Sequence, residues 1–179
     1  MKAITIWQPW ASLIACGAKK YETRPWATSY RGPIAIHAAA RDTKSILKEC
    51  FPCGDWDFHP DCRAKSLFLG AVNACGINIY ELPMGCVIAT AELVNVWHIV
   101  HNPGVDVDAA RYIPIGAESL TNDKHAPDFA DYFVPTEQEM LFGDWTPGRY
   151  ALEIANVKML PEPIPAKGQQ RLWNWEGQP

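Results

Sequence analysis

Ile6-Trp7-Gln8-Pro9-Trp10-Ala11-Ser12-Leu13-Ile14 organises this chain, and Tyr30-Arg31-Gly32-Pro33-Ile34-Ala35-Ile36-His37-Ala38 answers it. Lys2 to Trp7 alternates as a half-buried strand does. Pro9 suits the first turn of a helix, where its missing N–H would have no partner anyway. Trp10, Leu13 and Ile14 fall at i, i+3 and i+4 and make one apolar face. Gly17 supplies a left-handed stop, so a short helix over about residues 9–16 is expected.

Working outward, Lys20 to Arg24 reads as a strand that puts Lys20, Glu22 and Arg24 on one face. Residues 25–29 read as a loop, and Ile34 to Ala39 as a buried strand. Asp42 or Thr43 can cap a helix running to about Glu49. Residues 50–63 look irregular; Lys65 to Tyr80 suggests a helix weakened by Gly70 and Gly76. Cys86 to Trp97 is the strongest strand. Residues 98–146 read as loops with one short helix near Glu137 to Leu141. A last long strand spans Arg149 to Leu160, and Pro161, Pro163 and Pro165 force an extended segment. A turn at 167–170 leads to Leu172-Trp173-Asn174-Trp175. The pattern is α+β, mainly β: a small curved sheet or barrel with helices at its ends.

A chain of 179 residues with 48% apolar and 20% charged residues fits one globular domain, residues 1–179. The N-terminus carries no export signal and no apolar run is long enough to span a bilayer. A cytoplasmic protein with no membrane partner is therefore expected, and its six cysteines are read as thiols. Net charge is −4, unevenly spread. Residues 1–65 hold ten Lys/Arg against six Asp/Glu, residues 66–147 two against eleven, and residues 148–179 four against three. A protein that coats duplex DNA is basic overall. Any nucleic-acid contact here should be local, on a face built from the two ends of the chain.

Gln8 offers donors and an acceptor on one amide, so it can read a base edge or else cap its helix. The N–H groups beside it could receive a phosphate or carboxylate. Trp7, Trp10 and Trp26 are stacking candidates; Trp10, on the apolar helix face, also fits core packing. Arg24 and Arg31 can donate to phosphates or base edges, with Lys20 a neutralising charge. Cys50-x2-Cys53-x5-His59-x2-Cys62 supplies the three thiolates and one imidazole of a closed structural zinc site. The other reading is free cysteines in an irregular insert. His37, on an apolar strand, reads as a hydrogen-bonded core histidine.

Trp7-Gln8-Pro9-Trp10-Ala11-Ser12-Leu13, Gly17, Glu22-Thr23-Arg24, Trp26, Tyr30-Arg31-Gly32 and His37-Ala38 together resemble the ASCH domain (activating signal cointegrator homology), of the PUA-like superfamily. The likeness continues at Pro83-x-Gly85-Cys86-Val87-Ile88-Ala89, Gly148-Arg149-Tyr150-Ala151-Leu152 and Pro163-Ile164-Pro165-Ala166-Lys167-Gly168. It implies a PUA-like β-barrel with flanking helices and two insertions, at about 40–80 and 98–145. It also implies a cleft beside the Gln8-Pro9-Trp10 turn, to which Lys167 and Gln169 would come.

Relatives in that superfamily bind RNA, DNA or modified bases, and a few small bacterial members are hydrolases. The expected function is recognition of RNA, of single-stranded or modified DNA, or of a nucleotide, in a cleft including Gln8, Pro9, Lys20, Glu22, Arg24, Trp26, Arg31 and Lys167. The alternative is an amidohydrolase or ribonuclease. The small amidohydrolases carry Gly-x-Lys-x-x-Thr-x-Arg, and this chain reads Gly17-Ala18-Lys19-Lys20-Tyr21-Glu22-Thr23-Arg24. The threonine nucleophile is replaced, so Glu22 would act as base on a water while Lys19 or Lys20 stabilises an oxyanion. An adaptor that binds a protein partner through its acidic middle segment is a weaker third reading.

Overall fold

A computed structural model describes residues 1–51, 60–100, 109–112 and 132–177, with residues 60–62, 109–112 and 132 described by backbone alone. Its elements run β1 (Lys2–Ile6), α1 (Trp10–Ala15), β2 (Tyr21–Arg24), β3 (Gly32–Ala38), α2 (Thr43–Cys50), α3 (Pro60–Ala74), β4 (Cys86–Val100), β5 (Ala109–Tyr112), β6 (Tyr132–Phe133), α4 (Glu137–Phe142), β7 (Tyr150–Pro165) and β8 (Leu172–Asn174). The main sheet has the order β2-β7-β4-β3-β1-β8, with β5 and β6 added beside β4. It is mixed and curls into a half-barrel, the mainly-β PUA-like architecture expected.

The curl has a local cause. The β3–β4 ladder slips register between Ile36 and His37, and the long β4–β7 ladder slips three times. Each bulge bends its strand and adds twist, which rolls an otherwise open sheet. β3 sits between β1 and β4, so its run Ile34 to Ala38 is buried throughout. β1 pairs parallel to β3 and antiparallel to β8, which brings the chain's two ends together: Met1 donates to Trp175 O at 2.9 Å.

α1 covers the hollow of the half-barrel. Ile14 and Ala11 join Ile4, Ile6, Ile34, Ile36 and Leu152 in the main core. Leu13, on the far side of α1, packs with Phe68 and Val72 of α3, Leu47 of α2 and Phe142 of α4. α2, α3 and α4 thus share a second core with α1. Each buried Leu or Phe contributes about 1.5–3 kcal/mol relative to an exposed position.

Several expected boundaries move. α2 begins as expected, with Asp42 accepting from Ser45 N at 2.9 Å. α3 starts earlier than the expected Lys65 and stops at Ala74, where Gly76 turns left-handed at φ +74. β4 runs on to Val100 and is met by β5, which pairs in turn with β6; both strands come from the acidic stretch read as loops. Pro161, Pro163 and Pro165 are not a separate extended segment but the end of β7, where Ile164 and Pro165 pair with Val87 and Cys86. β2 no longer pairs β7 there, so prolines lacking N–H groups cost the open edge nothing.

Candidate nucleobase cleft

A cleft of about 450 Å³ opens where the β1–α1 turn, β2, the end of α2, and α4 with its following turn meet. Trp7 and Trp10, Glu22 and Arg24, Cys50 and Phe51, and Leu141, Asp144 and Arg149 are among the residues that line it. Trp7 is 44% exposed, with the Arg41 guanidinium 5.1 Å from its ring centroid. Trp10 has two faces of duty: it lines the cleft and tilts against Phe68 at 5.3 Å.

The charged floor comes from β2 and the residue before it. Strand alternation carries Glu22 and Arg24 to the same face, as expected. Glu22 Oε1 accepts from Arg24 Nη2 at 2.9 Å, and Glu22 Oε2 lies 3.7 Å from Lys19 Nζ. Arg24 Nη2 also donates to Thr5 O at 2.8 Å, which anchors it to β1. Its Nε is shielded from solvent and has no acceptor among the described residues.

Lys19 stands behind Glu22 rather than in the cleft. It is 1% exposed and its ammonium donates to Tyr21 O. Burial pushes its pKa down, while the Glu22 and Glu139 carboxylates pull it back up. Glu139 comes from α4 and accepts from Lys20 N at 2.6 Å; burial raises its pKa. The Lys20 side chain itself is exposed and lies outside the cleft lining.

Gln8 is turned into the protein rather than presented to the cleft. It is fully buried, its Nε2 donating to Pro83 O at 2.8 Å and its Oε1 accepting from Ser12 N at 3.1 Å. Both ends of the amide are occupied by backbone, so it clamps the turn to the Pro83 segment. At the helix start the N–H groups of Ala11, Ser12 and Leu13 are likewise engaged within the chain. Ala11 N donates to Trp7 O and Leu13 N to Pro9 O, each at 3.0 Å, and Ser12 N is held by Gln8. Pro9 is buried beneath the turn.

Other expected residues also fall elsewhere. Trp26 packs against the main core rather than into the cleft. Arg31 donates to Thr28 O at 3.0 Å and Tyr30 O at 2.9 Å, which holds its own loop. Lys167 and Gln169 are exposed on a turn whose Gly168 is pressed against His37, not the cleft. Of the proposed zinc ligands, Cys53, His59 and the side chain of Cys62 lie outside the described residues; Cys50 reaches the cleft. Among the described residues, no group of three or more His, Cys, Asp or Glu side chains is placed to hold a metal ion.

Sequence reasoning missed three residues of this region. Asp144 and Arg149 form an ion pair at 3.2 Å on the cleft, and Arg149 Nη2 donates to Thr23 O at 3.4 Å. Arg149 lies within the Gly148-Arg149-Tyr150 stretch that resembles the family by sequence, which could have flagged it. Glu139 gave no signal, because nothing in an acidic segment marks which carboxylate turns inward.

The ASCH domain family matches this chain over residues 4–141, from β1 through α4. The chain belongs to the ASCH domain family. ASCH domains are PUA-like domains suggested to bind RNA. No curated protein matches the chain. The family match takes in the β1–α1 turn, β2 and α4, and so most of the walls of the cleft; Asp144 and Arg149 lie beyond it. No helix among the described residues is long and apolar enough to cross a membrane.

Proposed function

We propose that this ASCH domain recognises a single unpaired or modified nucleobase, presented by RNA or as a nucleotide, in the cleft above Glu22 and Arg24. The observation that carries this reading is the Glu22–Arg24 pair at 2.9 Å, set in an open cleft beside two tryptophans. A carboxylate held by a guanidinium keeps lone pairs for the amino or imino N–H groups of a base. The Arg24 guanidinium, its side chain 26% exposed on the cleft, offers the complementary N–H donor to a ring nitrogen or carbonyl. Trp7 gives the exposed face on which a base stacks. A volume of about 450 Å³ lies within the range of small-molecule sites. Two arginines and two carboxylates share the lining, so the cleft selects a polar heterocycle rather than phosphate charge alone.

Tryptophan fluorescence titrated with the nucleoside monophosphates and short oligoribonucleotides tests this. Saturable changes that differ between bases are expected, weakened about tenfold or more by Arg24→Ala, since a good bidentate base contact is worth about 1–3 kcal/mol. Equal affinity for all bases, or an Arg24→Ala variant that binds like the parent, rejects it.

The hydrolase reading keeps one specific support: a buried Lys19 with a lowered pKa stands 3.7 Å from a carboxylate that reaches the cleft. Glu22 would take a proton from a water attacking an acylated base. Product from a panel of acylated nucleosides, lost in Glu22→Gln while binding persists, would favour it over binding alone.

A further inference from the structure

A second groove, of about 500 Å³, lies away from the nucleobase cleft between the end of α1, the end of α3 and β7. Two free thiols, Cys16 and Cys75, line it. The helices bring them together by a repeated pattern. Leu13 of α1 and Val72 of α3 are both sealed in the second core. Cys16 stands three residues after Leu13, and Cys75 three after Val72, so each sulfur follows its core residue by one turn on the same side. Each helix then ends at once: Gly17 at φ +80 and Gly76 at φ +74. Cys75 packs against the second core, while Cys16 is exposed with its thiol on Leu13 O at 3.4 Å. The Cys75 thiol is held above its ordinary pKa by burial and then by the neighbouring Cys16, which agrees with this proximity.

We propose that Cys16 and Cys75 form a dithiol site for hydroperoxides, closing to a reversible disulfide across the α1–α3 groove. The chemistry balances in two steps. The exposed Cys16 sulfur, reacting as its thiolate, attacks the terminal peroxide oxygen and breaks the O–O bond, giving a sulfenic acid and an alkoxide (hydroxide from hydrogen peroxide) that takes up the thiol's proton. The Cys75 thiol then displaces that sulfenic oxygen as water, and an S–S bond forms. Two thiols are oxidised and one peroxide is reduced. The bond ties α1, whose first residue Trp10 walls the nucleobase cleft, to the end of α3.

The test uses the full chain, reduced, then treated with one equivalent of hydrogen peroxide. Remaining thiols are alkylated and a non-reducing digest is mapped by mass spectrometry. The expected result is one crosslinked peptide pair joining Cys16 to Cys75, reversed by dithiothreitol. In Cys75→Ser, Cys16 should accumulate as a dimedone-reactive sulfenic acid. In Cys16→Ser, a substitution at an exposed position that spares the fold, Cys75 should stay alkylatable. The proposal is overturned if Cys16 reaches sulfinic acid in the parent chain while Cys75 remains reduced. It is equally overturned if the recovered disulfide joins either residue to Cys50, Cys53 or Cys62.

Discussion

Lys19 Nζ lies 3.7 Å from Glu22 Oε2, with the lysine side chain 1% and the glutamate 9% exposed. Neither charge is comfortable there alone, because desolvation of an ion inside a protein costs several kcal/mol. Lys19→Met should therefore destabilise the fold by about 3 kcal/mol at neutral pH, since it leaves Glu22 short of a partner. Lys19→Met combined with Glu22→Gln should recover most of that loss. Urea denaturation of the three chains decides; a double variant no better than the single one would mean the two charges are not coupled.

Gln8→Ala should act on stability and not by removal of a ligand contact. It empties two backbone hydrogen bonds inside a fully buried turn. Orphaned buried polar groups cost about 1–3 kcal/mol. The urea midpoint should fall accordingly, with far-ultraviolet circular dichroism of the folded state unchanged.

Trp7→Ala should show the opposite pattern. The ring is 44% exposed and touches Arg41 from the solvent side. Stability should move by no more than about 0.5 kcal/mol. Base affinity should fall by about 1–3 kcal/mol if the stacking role is right. Parallel melting and binding measurements on one preparation separate the two effects.

His37 predicts an acid-side loss of stability. It is 1% exposed, with Nε2 on Ala166 O at 3.0 Å and its ring edge-on to Trp173. Burial lowers its pKa from the ordinary 6.5, only partly offset by the Ala166 carbonyl. Between the lowered value and 6.5 the unfolded chain holds a proton that the folded chain does not. Stability therefore falls as pH drops through that window and levels off below it. Glu139, with its pKa raised from 4.5, runs the other way: its contribution is present below 4.5 and lost as pH rises through the folded value. His37→Gln should remove the histidine component, which denaturation curves from pH 7 to 4 would reveal as a flatter profile.

Gly168→Ala should be costly although the turn is on the surface. A methyl built there meets His37 Cε1 at 2.6 Å and Thr5 Oγ1 at 2.9 Å. Those atoms are fixed by the sheet and by the Trp173 Nε1 bond to Thr5 Oγ1 at 3.1 Å. Such overpacking costs about 1–3 kcal/mol. A thermal midpoint equal to the parent's would show that the turn can lift away.

The elements nearest the N-terminus were readable because their signals are local. The short helix α1, its stop at Gly17 and the Glu22/Arg24 alternation each occupy a few residues and fold as they read, although the expected single face of Trp10, Leu13 and Ile14 divides, Ile14 entering the main core and Leu13 the second. The family likeness carried the curved sheet. The roles of single side chains were less legible. The sequence shows that Gln8 can pair with a base, but Pro83 takes that bond from 75 residues away. Arg31 and Trp26 have the right chemistry for a ligand, yet they are used by their own loop and by the core. Glu139 meets Lys20 across 119 residues of separation, a distance over which no periodicity speaks. Cys50, Asp144 and Arg149 come to the cleft only through the packing of α2, α3 and α4 against α1.

The placement of α4 limits how this chain could be shortened. Glu139 sits on a stretch that a designer would prune first as surplus to the barrel, yet its side chain receives the Lys20 amide and its backbone oxygen receives the Trp145 indole at 2.8 Å. Excising that stretch would strand an ammonium in the protein's interior with one counter-ion fewer and bare an amide beside it. A trimmed version should go to the insoluble fraction while the intact chain stays in the supernatant.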